Sequence, residues 1–254
     1  MSNVGKSFDR DYLLTFWWAL HPRFKFIKTL IPNAKLLDVG AGPGGLILLK
    51  RHIYDRSDIK FFAVDLHKGE LFEMYDDYQM CDLEKEELKW PDNFFDAAIL
   101  SHVIEHLSDP SNLLANLNRK LKRDFALIYV EFPSYHSTII PSFDFLKNDK
   151  LNDSMRTTIN FYDDGTHVTL YTTDSLKALF GKYHFYAIEE GYIINPYCED
   201  TFLRLGIEFS DRELFTYGLW SKTRFAQYII FVRGSNSKNL YQILNEIIKT
   251  SEEE

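Results

Sequence analysis

The stretch LLDVGAGPGG, residues 36–45, constrains this chain more than any other. It joins a short apolar run to a glycine-rich turn and then to the helical LILLKRHIYD. Glycines in such a turn let backbone come close to a ligand at a helix N-terminus. Gly40, Gly42 and Gly45 also fit the dinucleotide pattern GxGxxG, which is weak on its own. The strand signal then recurs in KFFAVDL, YQMCDL, FDAAILS and FALIYVEFP, with the helical PSNLLANLNRKLK before the last. Strands alternating with helices predict a parallel sheet of βαβ units. HFYAIEEGYI and QYIIFVRG add two final strands. Seven strands in this layout predict an α/β/α sandwich with its ligand beyond the carboxyl ends of the strands.

The remaining segments fit around that sheet. Residues 9–31 read as helix with a break at Pro22. TTDSLKALFGKY reads as a helix capped by Thr173 or Asp174, with Gly181 near its end, and residues 239–250 as a closing helix. Residues 134–170 and 196–225 carry turn signals and aromatics, and are expected to be substrate-side insertions. Residues 1–33 are expected to form a helical lid on one domain spanning 1–254. The net charge of −8 and the lack of any Lys/Arg-rich stretch argue against a nucleic-acid partner. Two cysteines, no apolar run long enough to span a membrane and no secretory signal predict a cytoplasmic protein acting on a small molecule.

Acidic residues end three successive strands. Asp38 stands two residues before Gly40, where it can accept from a ligand ammonium and would repel a pyrophosphate. Asp65 ends the second strand, placed for two ribose hydroxyls, and Asp82 follows the third, placed for an adenine amino group. LLDVGAGPGG, FFAVDL, CDLE, FFDAAILSHVIEHLSDP and HVTLYTTDSLKALF, in this order over roughly residues 34–185, resemble the motifs of the class I S-adenosylmethionine-dependent methyltransferases. That resemblance implies a Rossmann-like, mostly parallel seven-stranded sheet whose last strand is antiparallel. It implies S-adenosylmethionine as cofactor and S-adenosylhomocysteine as product. By motif match Asp38 and Gly40 hold the methionine part, Asp65 the ribose and Asp82 the adenine. Gly42, Gly44, Leu66, Leu83 and Ser101 complete the cofactor set.

SHVIEHLSDP sets His102, Glu105 and His106 at spacing i, i+3, i+4, so one helical turn would present them together. Three readings stand side by side. Glu105 and His106 can fix the turn by bonding nearby backbone. One histidine, among them His167 from the later segment, can be a general base oriented by Glu105. Or His102, Glu105, His106 and His167 can hold a divalent metal, by similarity to the Glu-x-x-Glu-His turn of some quinone-pathway and small-RNA 2′-O-methyltransferases. Three histidines and a glutamate would favour a transition metal. Tyr135, His136, Trp18 and Tyr171 are the expected substrate-side residues.

Resemblance to small members from sugar and surface-glycan biosynthesis points to O-methylation of a sugar or nucleotide-linked sugar, an analogy at the level of the fold. The rivals are a metal-assisted RNA 2′-O-methyltransferase, a non-catalytic regulatory protein that keeps the cofactor site, and a nicotinamide-dependent oxidoreductase.

Overall fold

The computed structural model describes residues 9–49, 56–149 and 151–233. The expected helix over 9–31 is two helices, α1 (Arg10–Leu20) and α2 (Pro22–Thr29). The Asp9 carboxylate caps α1 by accepting from the Tyr12 N–H at 3.0 Å. Pro22 opens α2 at a first-turn position, where its missing N–H costs nothing.

The five inner strands form where apolar runs can be buried on both faces, whereas the two edge strands stay largely exposed. The strands are β1 (Lys35–Val39), β2 (Lys60–Asp65), β3 (Asp77–Met80), β4 (Ala97–Ser101), β5 (Ala126–Pro133), β6 (Phe185–Tyr192) and β7 (Ala226–Arg233). The sheet order is β3-β2-β1-β4-β5-β7-β6, and β7 pairs antiparallel with both β5 and β6. Alternate residues of one strand enter different cores. Leu36 packs with Trp17, Phe26, Phe61 and Tyr129 on one face; Leu37 packs with Val64, Leu100, Leu117 and Val130 on the other.

The helices are α3 (Leu46–Leu49), α4 (Ser111–Lys120), α5 (Phe143–Leu146), α6 (Thr173–Gly181), α7 (Glu199–Phe209) and α8 (Arg212–Thr223). Two sequence expectations need correction. The cap of α6 is Thr172, whose hydroxyl accepts from Ser175 N while Ser175 Oγ accepts from Thr172 N, so the capping box begins one residue earlier. The third strand ends at Met80, which leaves Cys81 and Asp82 in the following turn. Residues 134–170 hold 3₁₀ turns and the short α5, whereas 196–225 hold the packed pair α7 and α8. The closing helix expected over 239–250 lies outside the described residues.

Candidate active site

The sheet register aligns the ends of its parallel strands. Asp38 pairs with Ala63 and Ile99, Asp65 with Met80, and Ser101 with Glu131. A cavity of about 680 Å³ opens there, within the size range of cofactor sites. Its floor carries Asp38, Gly40, Gly42 and Ser101, and its roof comes from α1, α2 and α8 through Trp18, Arg23 and Tyr217. Another cavity, of about 440 Å³, lies by Asn93, Asp96 and Lys122 at the opposite end of the sheet, away from the carboxyl ends where α/β sheets bind ligands.

The glycine loop needs its glycines. Gly40 has φ +65°, and a Cβ there would collide with the Val103 side chain. Its N–H and that of Ala41 donate to Val64 O at 2.8 and 3.2 Å, stitching the loop to β2. Asp38 is 4% exposed. The Tyr75 hydroxyl donates to its Oδ2 at 2.6 Å, and its Oδ1 has no hydrogen-bond partner among the described residues. Burial raises the Asp38 carboxyl to about 7, against the pull of the Tyr75 hydroxyl and Arg23. An open carboxylate oxygen beside a close-approach glycine fits a ligand ammonium.

Asp65 accepts from the Gly42 N–H at 2.8 Å and the His67 N–H at 3.2 Å, so it also braces the loop. Leu66 beside it is exposed. Asp82 accepts from Glu84 N at 3.0 Å and pairs with Lys85 at 2.7 Å, with Leu83 half-buried next to it. Neither Asp65 nor Asp82 lines the cavity itself.

Sequence reasoning missed the buried ion pair behind the cavity. Glu131, 2% exposed, receives Arg23 Nη2 at 2.7 Å and Arg23 Nε at 3.3 Å, plus the Tyr129 hydroxyl at 2.8 Å. Arg23 Nη2 also donates to Ser101 Oγ. Burial would raise the Glu131 carboxyl, but Arg23 outweighs it and holds the group well below its usual range. Beside them burial pushes His21 down to about 3, which keeps it neutral to accept from Arg23 N at 3.2 Å. One signal was available: Glu131 is the only charge in FALIYVEFP, and a carboxylate inside a fully buried strand needs a partner.

The four candidates around SHVIEHL do not form one group. His102 takes φ +54° at the end of β4. Its Nδ1 lies 3.0 Å from Glu105 Oε1, and its Nε2 sits 3.4 Å from Glu131 Oε1 without hydrogen-bond geometry. Burial would lower the His102 pKa, but the two carboxylates outweigh it and raise it to about 9. That shift favours the protonated ring at neutral pH. Its ring packs on Trp220, 5.2 Å between centroids.

Glu105, His106 and His167 do come together, with ligand-capable atoms within 4.8 Å of one another. The N–H groups of Val168 and Thr169 donate to Glu105 O at 2.9 and 3.1 Å, which delivers His167 to this place. Each of the two histidines is held through Nδ1, His106 by Thr166 Oγ1 at 2.9 Å and His167 by Phe161 O at 2.7 Å. Glu105 is 1% exposed, and its Oε2 has no hydrogen-bond partner among the described residues. None of these four residues lines the cavity, and of the expected substrate-side residues only Trp18 does. Tyr135 stands exposed on the turn after β5, His136 packs near Tyr192, and Tyr171 rests half-buried against the sheet.

A glycine loop after β1, acidic residues ending β1 and β2, and an antiparallel β7 define the fold of the class I S-adenosylmethionine-dependent methyltransferases. The chain belongs to the methyltransferase-domain family, whose model matches residues 9–190. It is an S-adenosylmethionine-dependent enzyme.

Solved structures share the fold at low identity. An S-adenosylmethionine-dependent methyltransferase from Archaeoglobus fulgidus is 21% identical over 89% of this chain and 100% of that one, with a TM-score of 0.51. A putative methyltransferase in complex with the Haloferax volcanii Trm112 activator is 14% identical over 87% and 88%, at 0.54. The Burkholderia thailandensis 1,6-didemethyltoxoflavin-N1-methyltransferase, with bound 1,6-didemethyltoxoflavin and S-adenosylhomocysteine, is 13% identical over 89% and 90%, at 0.50. No curated protein matches the chain.

Proposed function

We propose that this enzyme methylates a hydroxyl of a sugar or nucleotide-linked sugar. The supporting observation is the roof of the cavity. Trp18 and Tyr217 line it, their rings 5.6 Å apart at 80° with Tyr217 stacked on Trp17, and Asp11 and Glu213 bring carboxylates to the same wall. Aromatic side chains beside carboxylates suit a sugar, whose C–H groups pack on rings and whose hydroxyls donate to carboxylates. Arg10 pairs with Asp211 at 2.6 Å and with Glu213, which ties α1 to α8 across the mouth.

In this reading Asp38 and Gly40 hold the methionine part, Asp65 the ribose and Asp82 the adenine. Of the expected lid over residues 1–33, residues 1–8 lie outside the described residues, and α1 and α2 act as the lid. The bound sulfonium supplies an already activated methyl group. The chain's task is to aim the acceptor oxygen in line and keep water out, and such positioning is the main catalytic contribution. The hydroxyl must also lose a proton. Asp11 and Glu213 are the acceptor-side carboxylates on the wall. His102 lies behind the wall, its Nδ1 turned to Glu105 at 3.0 Å, and takes no part at the acceptor itself.

The test is methyl-labelled cofactor incubated with a metabolite extract. Label in small polar compounds supports the reading, whereas label in RNA or protein overturns it. A second reading has its own observation, the unpartnered, buried Glu105 Oε2 beside two histidines held through Nδ1. Glu105, His106 and His167 would then hold a transition metal, with His102 outside the ligand set. Transfer lost to a chelator and restored by added metal favours it; transfer indifferent to chelator removes it.

A further inference from the structure

Both N-terminal helices roof the cavity, but they are held in different ways. α2 is built into the body of the protein. It buries Phe24, Phe26 and Ile27, Phe26 packs on Tyr129 of β5 at 5.6 Å, and Arg23 pairs with Glu131 of the same strand. α1 buries only Leu14 and Trp17 among its described side chains, and its ties run to the α7–α8 pair. Trp17 stacks on Tyr217, 5.2 Å between centroids at 5°, and lies 5.7 Å from Phe202, while a half-exposed Arg10 pairs with Asp211 and Glu213. One extended residue separates the two helices. His21, at ψ 133°, ends α1 by donating its N–H to Trp18 O and starts α2 by accepting from Arg23 N. A residue that ends one element and starts the next is where hinge motion is absorbed. The seated α1 also strands polar atoms. Trp17 Nε1 and both amide atoms of Asn195 are buried without a hydrogen-bond partner among the described residues, and the cleft that Trp17, His21 and Asn195 line is too narrow for a water to serve them. Stranding such groups costs on the order of what burying an aromatic side chain gains, so the seated pose leads by little.

We propose that α1 alone swings, turning at His21 while α2 stays fixed to β5, and that the ion pairs of Arg10 with Asp211 and Glu213 latch it shut. This rests on the assignment of the cavity beneath to the cofactor. α1 carries Asp11, Leu14 and Trp18 to that cavity. Its swing therefore opens the route by which the cofactor enters and leaves, and its seating completes the wall offered to the acceptor. The latch is solvent-exposed, which keeps it weak enough to open.

Two experiments on the full chain test the device. Nitroxide labels on Tyr12→Cys and, in a second protein, on Lys25→Cys are each paired with one on Ala115→Cys of α4; all three positions are exposed, whereas Cys81 and Cys198 are buried. Pulsed distance measurement should find two distances from position 12 that collapse to one on saturation with S-adenosylhomocysteine, and a single unchanged distance from position 25. One unchanged distance from position 12, or equal displacement of both positions, overturns the proposal. Stopped-flow binding of S-adenosylhomocysteine then reads the latch. Arg10→Gln should raise the association and dissociation rates together by about two- to fivefold, the worth of an exposed ion pair, and leave Kd within about twofold. Asn195→Leu, which removes two of the stranded atoms, should lower both rates by about threefold or more. Faster dissociation without faster association, in either variant, is the mark of a damaged site and overturns the latch. Failure of the wild type to bind S-adenosylhomocysteine instead overturns the cofactor assignment beneath it.

Discussion

Asp38 carries a signature that can be read without substrate. Its folded pKa, raised by burial to about 7, stands above the ordinary value of 3.8. Its contribution to stability is therefore present below about pH 4 and lost as pH rises through about 7. Melting temperatures of wild type and Asp38→Asn should diverge across that window, with the wild type losing ground; parallel curves would mean the carboxyl is not desolvated. His102 behaves alike at higher pH. Its pKa is raised to about 9, so the stability it adds is complete below about 6.5 and lost through about 9. Titration of the His102 ring by NMR should find it charged at neutral pH, and a neutral ring there would reopen the base reading. Asp65→Ala should weaken S-adenosylhomocysteine binding by ~1.5–3 kcal/mol per lost charge-assisted bond, and it also removes the acceptor for Gly42 N–H. Unchanged affinity in a titration would take Asp65 out of the site. Carboxylates and glycines at strand ends stood out in the sequence because they interrupt apolar runs, and the loop itself accounts for part of them through the φ of Gly40 and the Gly42 N–H bond to Asp65. Arg23 did not, because its partner Glu131 stands 108 positions away and no local pattern links them.

Among elements, the glycine loop and α6 make opposite predictions. Gly40→Ala forces a Cβ into Val103 at a positive φ, a combination expected to cost roughly 1–3 kcal/mol or more. A chemical denaturation curve unchanged from wild type would contradict the packing described. Thr172→Ala removes only the N-cap of α6, about 1 kcal/mol, and should leave cofactor affinity alone because α6 lies behind the sheet from the cavity. The five inner strands were readable because burial on both faces leaves near-continuous apolar runs; the edge strands β3 and β6, largely exposed, carry a weaker version of that signal. The 134–170 segment was not, because its turns are held by individual side chains such as Asp163, which accepts from the N–H groups of Ile159 and Asn160. The spacing of SHVIEHL predicted one helical face for three side chains. The 3₁₀ turn Ile104–His106 and the positive φ of His102 separate His102 from His106 instead.

For the whole molecule, the methyl donor should act as a stabiliser. Saturation with S-adenosylhomocysteine at about 100 times Kd adds about 2.7 kcal/mol, a rise in Tm of roughly 5–10 °C for a chain of this size. No rise at that concentration would place the ligand elsewhere or nowhere. Among the described residues no helix is long and apolar enough to cross a membrane. The antiparallel course of β7 has a further consequence. The chain enters β7 at Ala226, opposite Pro133 at the end of β5. Whatever precedes β7 is thus handed to the ligand end of the sheet, where a parallel strand would have received its connection at the far edge. The α7–α8 pair hangs from that entry point like an exchangeable tool on a fixed handle. A designer could lengthen or replace it between β6 and β7 and alter the acceptor wall, while the glycine loop and the strand ends beneath kept their register.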